Sequence, residues 1–130
     1  MTGPLRACLR QHLRPTADAG AEARHLVQDA CVAWHLPDVS AAAAVVVTEL
    51  VDNAARHAGT DLIVTIAYRG AYLHLSVEDR SPDLPRLGRG SPGFAADRGR
   101  GLLLVDSFAC GWGVVTAPDG KTVWASLSAR

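Results

Sequence analysis

A chain of 130 residues that is 48% hydrophobic holds enough material for one compact domain, expected to span 1–130, and little for a second. Thirteen basic and thirteen acidic side chains cancel, so neither nucleic acid nor an anionic membrane is an expected partner. No apolar run approaches the ~18 residues of a membrane span, the N-terminus has no signal-peptide core, and Cys8, Cys31 and Cys110 lack the spacing of a zinc or disulfide framework. A cytoplasmic protein with three small buried thiols is the expectation.

Leu5, Ala7 and Leu9 alternate with polar neighbours and predict a short first strand. Pro15-Thr16 opens a helix in which Ala23, Leu26, Val27, Ala30, Cys31 and Trp34 recur at spacings of three and four, ending near His35-Leu36-Pro37. Asp38 or Ser40 is the expected cap of a second helix that runs to about Ala58, where Gly59 supplies a left-handed stop.

On that second helix Ala43, Val46, Val47, Leu50, Val51 and Ala54 gather into one sector at about 100° per residue, with Glu49, Asn53 and Arg56 along its border. Carboxylate and amide oxygens beside a core suit magnesium, and a half-buried Glu suits a base toward water or a hydroxyl. A capped surface helix with unrelated polar residues fits the same segment. His57 points nearer the apolar sector and reads as structural, while His12, His25, His35 and His74 form no ligand spacing.

Two runs with strand period follow, Leu62 to Arg69 and Ala71 to Asp79, joined by a tight hairpin at Arg69-Gly70. Leu73, Leu75 and Val77 share a face, and counting on by two puts Asp79 at the end of that apolar row. Either Asp79 is buried and needs a donor or a cleft, or the strand has ended and the carboxylate is solvated.

From Arg80 to Arg100 three prolines and four glycines replace any periodicity. Segments of this kind longer than about 12 to 15 residues are usually lids, binding loops or disordered, and a lid over roughly 80–101 is expected. Gly99-Arg100-Gly101 then leads into Leu102-Leu103-Leu104-Val105, a short helix ending near Cys110-Gly111. The paired glycines let backbone N–H groups face a phosphate at the helix start, or serve only as a hinge; Arg98 and Arg100 suit phosphate contacts or open solvent. Strands near Trp112 to Thr116 and Lys121 to Ser128, linked by a turn at Pro118-Asp119-Gly120, close an α+β order with a mixed sheet, mainly antiparallel, covered by helices on one face.

Taken together, EL-x-DNA-x-RHA, VEDRSP at a strand end and GRGLLLVD after a long loop resemble the N, G1 and G2 boxes of the GHKL ATPase and kinase superfamily, in order and in spacing. Gly120-Lys121-Thr122-Val123-Trp124 adds a fourth likeness, to the single-domain anti-sigma-factor serine/threonine kinases. The resemblance spans nearly the whole chain and implies the Bergerat two-layer α/β sandwich, with ATP and Mg2+ as ligands. It implies that Asn53 holds the magnesium against the triphosphate and that Glu49 is the general base. It implies further that Asp79 accepts the adenine amino hydrogen, that Gly99, Gly101 and the Leu102 backbone face the phosphates, and that the Thr122 hydroxyl lies near adenine. Arg98 and Arg100 complete the expected phosphate side.

The implied role is phosphorylation of an anti-sigma-factor antagonist, with a sigma factor as second partner; a homodimer through the first helix or the edge of the first strand is left open by the sequence. Its alternative is a nucleotide-binding module that sequesters a partner without transfer. Simple ATP hydrolysis fits less well, because no mechanical second domain is expected, and a self-contained sensor histidine kinase is not expected at this length. One departure stands out. Ser81 occupies the place of the family's Gly in Asp-x-Gly, and a positive φ there would be strained for Ser.

Overall fold

The computed structural model describes residues 3–81 and 103–129. The expected lid, beyond Arg80 and Ser81, lies outside them. Along the chain run β1 (Leu5–Leu13), α1 (Ala19–Ala33), α2 (Pro37–Ala58), β2 (Leu62–Arg69), β3 (Tyr72–Asp79), β4 (Gly111–Ala117) and β5 (Gly120–Ser128), with helical residues at 103–108. The strands form one sheet in the order β1-β2-β3-β5-β4. Every pairing among them is antiparallel, so the parallel component of a mixed sheet is absent from the described residues.

Strand alternation sends one row of each central strand toward the helices. Leu62, Val64 and Ile66 of β2, Leu73, Leu75 and Val77 of β3, and Val123, Ala125 and Leu127 of β5 are all buried. Against them α2 lays Val46, Val47, Leu50 and Val51, and α1 contributes Ala23, Val27, Ala30 and Cys31. Full burial of a Val or Leu side chain is worth about 1.5–3 kcal/mol, so this two-layer contact is the main source of stability. Of the three thiols only Cys31 is buried, and burial pushes its pKa up; Cys8 and Cys110 are exposed, contrary to expectation.

Three junctions fix where the elements stop. Helix α1 ends on His35 with φ 57°, the Leu36 N–H donating to the Cys31 carbonyl at 2.8 Å and the His35 N–H to the Val32 carbonyl at 3.3 Å. That is the paired closure of a Schellman motif. Helix α2 begins with Pro37 at its first positions after Leu36, without a side-chain capping bond, so neither Asp38 nor Ser40 caps it. Proline needs no N–H partner there and brings a helical φ. Gly59 ends α2 in the left-handed conformation, φ 65° and ψ 14°.

The β2–β3 hairpin turns through Gly70 and Ala71, since Arg69 pairs with Tyr72. Gly70 has φ 60°, the sign that two-residue hairpin turns require. Strand β1 is longer than its local pattern predicts because β2 pairs with it as far as Leu13↔Leu62.

Candidate functional site

Alternation along β3 carries Asp79 onto the same face as Leu73, Leu75 and Val77, and Asp79 is only 2% exposed. The solvated alternative is therefore wrong. Register supplies the partner: Asp79 lies opposite Lys121 on β5. Lys121 Nζ stands 3.2 Å from Asp79 Oδ1, to which it donates a hydrogen bond, and 3.0 Å from Oδ2. The Ser81 N–H also donates to Oδ1, at 2.9 Å, closing an Asx turn. Oδ2 is enclosed and, among the described residues, has only the ion-pair contact of the same ammonium. At that distance the contact is an ion pair.

Ser81 is buried and has no positive φ, since His35 is the sole non-glycine with one among the described residues. The strain expected of a Ser in this place does not arise. The Asx turn holds the chain with an ordinary backbone.

Gly120 makes the pairing possible. A side chain there would run into the Asp79 carbonyl and the Arg80 Cα, the latter 3.0 Å away, so only a glycine lets β5 begin flush against the end of β3. On the other side of the site, the Arg80 N–H donates to Thr60 Oγ1 at 3.2 Å. This bond ties the end of β3 to the loop after α2. Asn53 lies five residues before Ala58, the end of α2, or ~8 Å along the axis at 1.5 Å per residue.

Glu49, Asp52 and Asn53 are half-buried and Arg56 is exposed, all bordering the apolar face of α2. No Glu49–Arg56 ion pair forms among the described residues. The Arg56 charge acts on Asp52 instead, partly offsetting the burial that raises the Asp52 pKa above its ordinary value. Asp52 packs against Gly20 of α1, where a Cβ would collide with its carboxylate.

Thr122 carries the hydroxyl expected near adenine. It pairs with Glu78, and alternation turns both away from the helices, onto the face opposite Asp79 and Lys121. A cleft of about 660 Å³ wraps the strand ends and touches both faces, with Glu78, Val115 and Thr122 on one side and Asp79 and Lys121 also lining it. Arg98, Gly99, Arg100, Gly101 and Leu102, and the side chain of His57, lie outside the described residues. Sequence reasoning missed Lys121 as a site residue; its signal is the register partner of Asp79, which depends on strands far apart in the chain.

Residues 13–127 match the family described as the histidine kinase-like ATPase domain. With nearly the whole chain covered, the protein belongs to that family, and it is an ATP-binding protein of the GHKL type. No curated protein matches it.

The residues present fit a nucleotide. Asp79 Oδ2 is a buried acceptor without a directed donor, the position an exocyclic amino group would complete. No cluster of three His, Cys, Asp or Glu side chains that could hold a metal occurs among the described residues. Magnesium takes one or two protein oxygens and fills its shell with waters and phosphates. Asn53 would be the protein oxygen. No helix among the described residues is long and apolar enough to cross a membrane.

Proposed function

We propose that this chain is an ATP-dependent protein serine/threonine kinase of a partner-switching pathway, which binds a sigma factor and phosphorylates an anti-sigma-factor antagonist in the cytoplasm. The observation that carries the reading is the pairing of a half-buried Glu49 and Asn53 on α2 with a buried Asp79 at the end of β3, in a domain of the histidine kinase-like ATPase family. ATP with magnesium supplies an activated phosphoryl group. Asn53 holds the metal by its side-chain oxygen, Asp79 anchors the base, and Glu49 takes the proton from the acceptor hydroxyl as its oxygen bonds to the γ-phosphorus and ADP leaves. A homodimer would use α1 or the β1 edge of the sheet.

Labelled ATP and candidate antagonists test the assignment. Asn53→Ala is expected to lower magnesium-dependent ATP affinity at least tenfold, by calorimetry. Glu49→Ala should leave that affinity within about threefold and cut transfer by 10²-fold or more, the usual worth of a general base. Full phosphorylation by Glu49→Ala would remove Glu49 from the reaction. The alternative reading, sequestration of a partner without transfer, draws on the ammonium already seated beside Asp79; tight ATP binding without transfer to any antagonist would favour it.

A further inference from the structure

Asp79 and Lys121 form the one buried ion pair among the described residues, their side chains 1% and 7% exposed. Ion pairs of this kind pay a large desolvation penalty, and apolar residues of similar volume often serve stability as well or better. The same two rows show this locally, since Val77 and Val123, the preceding pair on this face of the sheet, pack without charge. Packing alone gives no reason for the charges.

The hydrogen bonds of the pair are also incomplete. Oδ1 takes protons from the Ser81 N–H and Lys121 Nζ, whereas Oδ2 takes none. An ammonium carries three protons, and among the described residues Asp79 is the only partner of Lys121. Oδ2 therefore has only the ion-pair contact of the same ammonium, at 3.0 Å, and that ammonium has more protons than the one carboxylate uses. Adenine offers the complement on one edge, a 6-amino donor beside the N1 acceptor.

We propose that Lys121 is a nucleobase-specificity residue, its Nζ donating to adenine N1 while Asp79 Oδ2 accepts from the 6-amino group. The assignment rests on the ATP-binding reading above and adds a second contact to it. A carboxylate alone reads only the amino group. With the ammonium beside it the site also reads the ring nitrogen, and guanine in the same orientation sets O6 against Oδ2 and N1–H against Nζ, a mismatch at both positions.

Isothermal titration of the full chain with ATP, 1-deaza-ATP and GTP, each with magnesium, tests the assignment without altering the protein. Replacing N1 by C–H leaves one proton of a buried ammonium facing a C–H instead of an acceptor, so 1-deaza-ATP is expected to bind about tenfold or more weakly than ATP, and GTP more weakly still. In Lys121→Met the ATP to 1-deaza-ATP ratio should fall below about twofold, and Lys121→Arg, which keeps a donor, should restore it. A wild-type ratio under about fivefold, with ATP binding intact, would make Lys121 a structural partner of Asp79 only and leave the ATP-binding reading standing. Folded wild-type protein that binds none of the three nucleotides would overturn that reading, and this inference with it.

Discussion

His35 holds φ 57° without being glycine, and it does so to close α1. A left-handed residue with a Cβ costs roughly 1–2 kcal/mol, repaid here by the paired hydrogen bonds to Cys31 and Val32 and by burial of Leu36 beside Cys31. Glycine would remove the steric cost and lose about 0.5–1 kcal/mol to the greater freedom of the unfolded chain. His35→Gly is therefore expected to stabilise the protein by about 0.5–1 kcal/mol, visible as a higher urea midpoint at unchanged slope. A lower midpoint would show that the imidazole contributes more than its backbone costs. Periodicity located the end of α1 at these residues but not its handedness, because histidine gives no signal of a left-handed turn. Asp79 was legible for the opposite reason: counting by two along Leu73, Leu75 and Val77 reaches it directly, whereas Lys121 is found only once β5 is set in register with β3.

At the scale of elements, the position of β5 depends on one missing side chain. Gly120→Ala would drive a methyl into the Asp79 carbonyl, a backbone obstacle that no rotamer change relieves. The expected cost is about 1–3 kcal/mol, and the shift would separate Lys121 from Asp79, so ATP affinity should fall along with stability. Thermal unfolding and nucleotide titration on the same sample check both, and unaltered ATP affinity in a destabilised variant would detach Gly120 from the site. The hairpin at Gly70 and the stop at Gly59 could be read from sequence because each is a glycine where a chain reverses. Strand β1 could be read only in part. Its side chains are mostly exposed, so it is held by its ladder to β2 rather than by burial, and a ladder leaves no periodic mark. The lost Asp38 or Ser40 cap has a similar cause, since the closure of α1 brings Pro37 into the first helical position.

Across the whole molecule, two half-buried groups tilt the response to acid in opposite directions. His74 sits on β3 opposite Ala67 and Ser126, its Nε2 is buried without a hydrogen-bond partner among the described residues, and burial first, then the Arg69 charge, holds its pKa below the ordinary 6.5. The unfolded chain thus binds this proton more tightly than the folded one. Stability from His74 is complete above about pH 6.5 and is lost as pH falls through the lower folded-state value. Asp52 runs the other way. Burial raises its pKa above the ordinary 3.8, against the pull of Arg56, so its contribution is complete below about pH 3.8 and is lost as pH rises through the folded-state value. At neutral pH, then, His74 costs nothing while Asp52 is ionised and carries its desolvation. His74→Gln should flatten the decline in unfolding free energy that the wild type shows below about pH 6.5, whereas Asp52→Asn should gain stability near pH 7 and surrender that gain toward about pH 3.5. Both groups keep much of their solvent, so each effect should stay under about 1 kcal/mol. Urea titrations across this range separate the two, because the variants act at opposite ends of it. A His74→Gln profile parallel to the wild type would mean that other groups control the acid limb, and an Asp52→Asn variant no more stable than wild type at neutral pH would mean that Arg56 already compensates the buried carboxylate in full.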